Sequence, residues 1–160
     1  MAHPITTFLS FDGHAEAATR FYTELFPGGK IHSLKPLGTP GDGAGEGNIV
    51  ATFEIFGGRF LALDVGPMFT PSPAISLMVH CATQDEIDRY WDALCDGGAP
   101  MACGWVTDRF GVTWQIVPES LEWLTDGSDP DGTARVMQAL TRMVKLDKAV
   151  LEAAYRGEPA

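Results

Sequence analysis

The sequence contains one helix-like segment twice, and this repetition constrains the fold more than any other feature. Residues 19–29 read TRFYTELFPGG, and residues 88–98, 69 positions later, read DRYWDALCDGG. In both copies aromatic and leucine positions recur at helical spacing and a Gly-Gly pair follows, which is typical of an amphipathic helix and its end. Chance similarity of two amphipathic helices is the alternative, but strand patterns flank both copies in the same order. The sequence therefore predicts a duplicated βαβββ module in an α+β fold.

The repeat also predicts the domain organisation. One module is expected over about residues 4–66 and the second over about 74–118, within one domain of residues 1–160. Thr83 and Glu86 have the spacing of a capping box at the start of the second helix. A short strand is expected near residues 101–106. One terminal helix is expected over about residues 133–156, and its apolar face is predicted to cover a sheet or a second subunit.

Composition excludes several classes of partner. A net charge of -10, from 21 acidic and 11 basic residues, opposes binding to nucleic acid and to anionic membranes. No apolar run reaches the roughly 18 residues of a membrane helix, and the N-terminal MAHPITTF lacks a signal-peptide pattern. Cys81, Cys95 and Cys103 form no CxxC motif, so we interpret them as reduced thiols. We expect a cytoplasmic protein.

Four segments resemble a known family. They are FDGHAEAATRFYTELFPGGKI, ISLMVHCATQDEIDRYWDAL, CGWVTDRFGVTWQIVP and RVMQALTRMVKLDKAVLEAAYRG, in that order along the chain. They resemble the PhnB-like family, often labelled 3-demethylubiquinone-9 3-methyltransferase. That family belongs to the vicinal oxygen chelate superfamily of glyoxalase I, bleomycin-resistance proteins and extradiol dioxygenases. The resemblance implies that the two modules pair into a half-open mixed-sheet barrel with a pocket, and that the protein is a homodimer.

The resemblance also indicates where a metal would bind. Metal-using members of the superfamily hold a divalent ion with residues on the first and last strands of the modules. Mapped through the repeat, these positions fall at Thr7 and Ser76 on the first strands and at Ala62 and Gln115 on the last. One amide, two hydroxyls and a methyl group provide no ligand anion, so no metal cofactor is firmly implied.

A second, irregular metal site stays open. Asp64 lies two residues beyond Ala62 on the same strand face, and His80 lies four residues beyond Ser76. A single β-bulge would change which side chains face inward, so Asp64, His80 and Gln115 are an alternative ligand set. The corresponding function is a metal-dependent lyase, isomerase or dioxygenase on the same fold.

The methyltransferase label predicts binding of S-adenosylmethionine. Residues 41–47 read GDGAGEG, but a cofactor-binding glycine loop follows a strand and opens a helix. This segment is followed by a strand pattern and carries acidic side chains, so we interpret it as a hairpin loop. We therefore discount methyl transfer.

The leading hypothesis is a pocket for a small organic ligand, with the reaction, if any, undetermined. No GxSxG elbow is present, and the neighbours His80 and Cys81 would point to opposite faces of a strand, so no nucleophilic catalyst is evident. Aromatic side chains with a few polar groups line such pockets, although the same aromatics also serve as core. The expected pocket residues are Thr7, Phe8, Ala62, Asp64, Ser76, His80, Trp105, Trp114 and Gln115.

Overall fold

Both halves of the chain have the predicted order of strands and helices. The computed structural model describes residues 5–37, 47–122 and 127–158. The chain divides into two compact units, Met1–Thr70 and Pro71–Ala160, and each contains one sheet. The prediction that the two units make a single domain stays a prediction.

The first unit is a four-stranded mixed sheet with one helix on it. The strand order is β1-β4-β3-β2, with β1 parallel to β4 and the other neighbours antiparallel. Its elements are β1 (Thr7–Phe11), α1 (Ala15–Leu25), β2 (Lys30–Pro36), β3 (Ile49–Ile55) and β4 (Gly58–Asp64).

The second unit repeats this topology. The strand order is β5-β8-β7-β6, again with the first strand parallel to the last. The prediction of two βαβββ modules in an α+β fold is therefore confirmed. The elements are β5 (Leu77–Cys81), α2 (Gln84–Cys95), β6 (Ala99–Pro100), β7 (Trp105–Thr107) and β8 (Thr113–Pro118).

One predicted strand of the second unit is divided in two. The strand expected near residues 101–106 is replaced by the short antiparallel strands β6 and β7, joined by a turn. Cys103 and Gly104 adopt positive φ angles of 63° and 78° in this turn, which a continuous strand does not allow.

The repeated Gly-Gly pairs begin two or three residues after the last residue of each helix and have the same backbone geometry in both copies. The first glycine of each pair, Gly28 or Gly97, has a φ of 70° or 72°, the left-handed conformation that a side chain disfavours. The second glycine is packed against backbone: a Cβ on Gly29 would lie 1.9 Å from the carbonyl oxygen of Thr23. A Cβ on Gly98 would lie 2.3 Å from the carbonyl oxygen of the residue four positions earlier. The first glycine therefore reverses the chain, and the second allows it to return closely past its own helix.

Over residues 127–158 the C-terminal segment contains two helices rather than the one predicted over residues 133–156. After a 3-10 turn (Glu119–Glu122), α3 spans Pro130–Leu140 and α4 spans Lys148–Arg156. The helix is interrupted because the carbonyl oxygens of Met143 and Val144 accept hydrogen bonds from the backbone N–H groups of Cys103 and Gly104, at 2.8 and 2.9 Å. These carbonyls therefore connect the segment to the β6–β7 turn. Within the described residues, no helix is both long and apolar enough to cross a bilayer.

Candidate functional site

The candidate site lies on the face of the second sheet opposite α2. In the strand register, Gln115 of β8 is the partner of both Met78 on β5 and Trp105 on β7, so these three side chains share one face. His80 lies two residues beyond Met78 and is exposed on the same face. Side chains on the other face, such as Ile116, are buried against α2. We call the face that carries Gln115 the open face of module 2.

Gln115 is held in place by a neighbouring serine. Its side-chain Nε2 donates a hydrogen bond of 2.7 Å to Oγ of Ser76, the residue just before β5. The amide carbonyl of Gln115 therefore remains as an acceptor at the cavity that this residue lines. The sequence predicted both residues as pocket residues, and the structure brings them together.

A cavity of about 250 Å³ lies on the open face of module 2. Three of the predicted pocket residues line it, together with apolar side chains and one carboxylate. The lining residues are Met78, His80, Cys103, Trp105, Gln115, Val117, Leu121, Glu122 and Leu140.

The C-terminal segment forms one wall of this cavity. Leu121 and Glu122 come from the 3-10 turn, and Leu140 comes from the end of α3. The same segment forms a hydrophobic cluster in which Leu140 and Val117 are joined by buried residues of the two terminal helices. The sequence predicted a terminal helix that covers a sheet or a second subunit, but it did not identify the residues of the wall, because their contacts arise only after the chain folds back.

Trp114 lies in the core, contrary to its prediction as a pocket residue. It is 1% exposed, on the face opposite Gln115, and its indole Nε1 donates a 2.9 Å hydrogen bond to Oδ2 of Asp108. Oδ1 of Asp108 accepts from the backbone N–H groups of Phe110 and Val112 at 2.9 and 3.0 Å. Asp108 thus closes the β7–β8 turn and holds Trp114.

The repeat has different offsets in its helices and in its strands. β1 and β5 each have five residues and end at Phe11 and Cys81. Equivalent residues of these strands are therefore 70 positions apart in the sequence, whereas those of the helices are 69 apart. The connection before α1 is one residue longer, and a shift of one residue exchanges the two faces of a strand. By register, the counterpart of Gln115 is Leu61, and Ala62 corresponds to Ile116.

The strand register corrects two predicted pocket residues of module 1. Ala62 is 0% exposed and lies on the face covered by α1. Leu9 is its register partner on β1, and Thr7 lies two residues from Leu9, so Thr7 is on the same face. Phe8 lies on the face opposite α1, which we call the open face of module 1, and is 53% exposed. The residues equivalent to Ser76 and Gln115 are therefore Thr6 and Leu61.

Asp64 has a structural position in module 1. It is 2% exposed; its Oδ1 accepts a 2.9 Å hydrogen bond from the backbone N–H of Ala15, and its Oδ2 accepts one of 3.0 Å from that of Ile49. The side chain of His14, the N-cap residue of α1, makes no capping hydrogen bond, so the carboxylate of Asp64 satisfies the start of this helix instead. The structure places Asp64 beneath α1 rather than on the open face.

The corrected residue set does not fit a divalent metal. The four positions are Thr6, Leu61, Ser76 and Gln115, which supply two hydroxyls, one amide and no anion. In the alternative set, both oxygens of Asp64 already accept backbone hydrogen bonds. Over residues 5–37, 47–122 and 127–158, no group of three or more His, Cys, Asp or Glu side chains is arranged to hold an ion.

The strand-to-helix turns do not fit S-adenosylmethionine. The described turns that precede α1 and α2 are residues 12–14 and 82–83, and they contain a single glycine, Gly13. A cofactor loop needs glycines at such a turn so that the backbone approaches the ligand closely. The glycine-rich stretch GDGAGEG lies outside the described residues except for Gly47.

The cysteine next to His80 is not an activated nucleophile. Cys81 is buried under α2 while His80 is exposed on the open face. Burial, with a smaller contribution from the Glu86 carboxylate, raises the pKa of the Cys81 thiol to about 12. A nucleophilic cysteine requires the opposite shift.

Comparisons with known proteins agree with this geometry. A family model described as 3-demethylubiquinone-9 3-methyltransferase matches residues 3–117. The solved structure of a putative 3-demethylubiquinone-9 3-methyltransferase, a PhnB protein from Bacillus cereus, is 39% identical; the match covers 72% of this chain and 99% of that one, with a TM-score of 0.65. Among curated proteins, none matches the sequence significantly.

More distant structures share the fold alone. The PA1353 protein of Pseudomonas aeruginosa is 22% identical over 73% of this chain and 98% of that one, with a TM-score of 0.57. The fosfomycin resistance protein FosX of Listeria monocytogenes is 14% identical over 79% of this chain and 97% of its own, with a TM-score of 0.52. Since the family match ends at residue 117, the C-terminal wall of the cavity lies beyond it.

Proposed function

The chain belongs to the PhnB-like family, labelled 3-demethylubiquinone-9 3-methyltransferase, within the glyoxalase, bleomycin resistance and dioxygenase superfamily, and from this premise we propose that its second module binds a small organic ligand. The binding site is the cavity on the open face of module 2. The observation that carries the proposal is the juxtaposition of His80, Trp105 and Gln115 in one cavity.

The size and lining of the cavity indicate the class of ligand. A volume of about 250 Å³ lies below the roughly 300–1,000 Å³ of ordinary ligand pockets, so the ligand is smaller than a nucleotide-sized cofactor. Most of the wall is apolar or aromatic, which favours a ligand with a hydrocarbon or aromatic body. The carbonyl of Gln115 accepts a hydrogen bond, so the ligand carries a donor such as a hydroxyl. No reaction is proposed.

Benzyl alcohol and toluene form a matched pair of probes, because only the alcohol carries a hydroxyl donor. In ¹H–¹⁵N NMR titrations of the full chain, we expect benzyl alcohol to shift the backbone amides of residues 78, 80, 105 and 115 saturably. Toluene should bind there about tenfold more weakly, because it leaves the half-buried amide carbonyl of Gln115 without a partner.

Two variants test the role of the amide. Gln115→Met keeps the volume of the side chain and removes its polar groups, so it should abolish the preference for the alcohol. Ser76→Ala keeps the amide but removes the hydroxyl that orients it, so it should reduce that preference less than Gln115→Met does. Equal binding of both probes by the unmodified protein, or shifts scattered over both modules, would contradict the proposal.

We propose further that the protein is a cytoplasmic homodimer. Apolar side chains are left at the surface of the described residues at both first strands, including Ile5, Phe8, Ile75 and Met78. Cys81, Cys95 and Cys103 are free thiols, consistent with a reducing compartment. Light scattering at micromolar concentration should give twice the chain mass, and a monomer would contradict the dimer.

A further inference from the structure

The open face of the first sheet is basic in an acidic protein. Lys30 and Arg59 are both register partners of Glu54, so all three side chains lie on the face opposite α1. Lys35 lies on the same face, because its partner Val50 is four residues from Glu54 on β3. On strands β1 to β4, Glu54 is the one acidic residue of this face, although the whole chain has a net charge of -10. The face therefore concentrates positive charge locally.

A β-bulge brings a histidine to this face. Ile31 pairs with Phe53 and Ser33 pairs with Thr52, so His32 is an extra residue on β2 between two consecutive partners on β3. Its Nε2 lies 3.2 Å from Oε2 of Glu54. Bulges commonly turn a side chain toward a site, and here the bulge places an imidazole beside the cationic groups.

His32 and Arg59 border a second cavity, of about 350 Å³. A guanidinium, an imidazole and two hydroxyls face it, together with apolar and aromatic surface. No acidic side chain among the described residues forms an ion pair with Arg59. The lining residues are Thr6, His32, Thr52, Phe53, Arg59, Phe60 and Leu61.

We propose that this cavity of module 1 binds a small organic anion, a carboxylate or a phosphate monoester. Arg59 holds the negative charge, because a planar guanidinium donates charge-assisted hydrogen bonds to such groups. His32, whose Nε2 faces Oε2 of Glu54, contributes part of the wall. The hydroxyls of Thr6 and Thr52 add neutral donors, and Leu61 contacts the apolar part of the ligand. All of its lining residues belong to module 1, and the proposal does not depend on the function proposed for module 2.

Benzoate tests the proposal, with benzyl alcohol as its neutral counterpart. In NMR titrations at constant ionic strength, benzoate should shift the amides of residues 6, 32, 52 and 59–61 saturably. Benzyl alcohol should leave these amides unchanged. Phenyl phosphate in place of benzoate distinguishes the two classes of anion, and binding of either one supports the site.

Two arginine variants separate a specific site from a general effect of net charge. Arg59→Gln should weaken benzoate binding about tenfold or more, because it removes the principal cationic donor. Arg20→Gln removes the same charge from the outer surface of α1, where Arg20 pairs with Glu16 at 2.8 Å, and should leave the affinity unchanged. Equal losses in the two variants, or shifts by both anions that do not saturate, would overturn the proposal.

Discussion

Replacing Asp64 by asparagine tests whether this buried residue is a structural group or a metal ligand. The carboxylate accepts two backbone hydrogen bonds, of 2.9 and 3.0 Å, at the starts of α1 and β3. Asparagine has nearly the same shape but keeps only one acceptor oxygen. Its NH₂ group would then face one of the two backbone N–H donors. If Asp64 is structural, the variant should be less stable whether or not a metal is present.

The expected loss follows from these two hydrogen bonds. Each hydrogen bond to a charged group contributes about 1.5–3 kcal/mol. The variant loses one bond and weakens the other to a neutral one, while the carboxylate no longer has to be buried, which offsets part of the loss. We expect the free energy of unfolding to fall by about 3 kcal/mol. With a urea slope of about 2 kcal/mol per molar, the midpoint should fall by about 1.5 M.

The positions of the tryptophans allow the effect to be assigned to one module. All 4 tryptophans of the sequence occur after residue 90, so their fluorescence reports on module 2, whereas far-ultraviolet circular dichroism reports on both modules. The dichroism midpoint of Asp64→Asn should decrease more than the fluorescence midpoint. Asp12→Asn, in the exposed turn before α1, is the control and should change stability by less than about 0.5 kcal/mol.

Two results, taken together, would refute the structural role of Asp64. If Asp64→Asn and Asp12→Asn unfold at the same urea concentration with chelator present, the two hydrogen bonds do not support the fold. If Asp64→Asn alone also loses a stoichiometric metal, Asp64 is a metal ligand.

Three further predictions concern the core and the turns. Trp114→Phe should lower the free energy of unfolding by about 2 kcal/mol in urea titrations, because Asp108 loses its buried indole donor. Gly29→Ala should cost about 3 kcal/mol, measured in the same way, because the new Cβ would lie 1.9 Å from the carbonyl oxygen of Thr23. Cys81 should resist iodoacetamide at pH 8, since a pKa of about 12 leaves about one thiolate in ten thousand; mass spectrometry of the labelled protein measures this.

Each of these predictions has an internal control. Trp105→Phe changes a partly exposed ring at the cavity and should cost less than about 1 kcal/mol. Gly13→Ala introduces strain at a φ of 73° but meets no atom within 4 Å, so it should cost less than Gly29→Ala. Cys103, which lines the cavity of module 2, should be labelled before Cys81. A control variant that loses more stability than its test variant would show that the contact given for the test residue does not determine stability. Labelling of Cys81 before Cys103 would show that burial does not determine the reactivity of the thiol.

The sequence predicted well those features that depend on neighbouring residues. The capping box of Thr83 and Glu86 is formed, with the Thr83 hydroxyl accepting from the backbone N–H of Glu86 at 3.2 Å. Both repeated helices end two or three residues before their Gly-Gly pairs. The duplicated order of strands and helices also followed from local patterns that survive in each copy, and the family followed from the resemblance of four segments of the sequence.

The errors arose where a single residue or a distant contact decides the outcome. The helix offset placed the first-strand position one residue too late on β1, at Thr7. Counting four residues from Gly58, as from Gly111, placed the last-strand position one residue too late on β4, at Ala62, so both were assigned to the wrong face. Trp114 was misassigned for a related reason, since an apolar run does not reveal which alternate residues face the helix. The break between α3 and α4 depends on carbonyls that bond to a turn about 40 residues earlier in the chain, which helical periodicity cannot detect.

The different caps of the two repeated helices have a consequence for the order of folding. The N-terminus of α2 is completed by residues 83–86, so that helix can begin as soon as its own residues are available. The N-terminus of α1 needs Asp64, which lies 49 residues from Ala15 and is the last residue of β4. Closing that long loop costs chain entropy before the hydrogen bond forms. Module 1 is synthesised first, but the N-terminus of α1 is capped only after β4 has joined the sheet. The N-terminus of α2 is capped by residues of its own first turn.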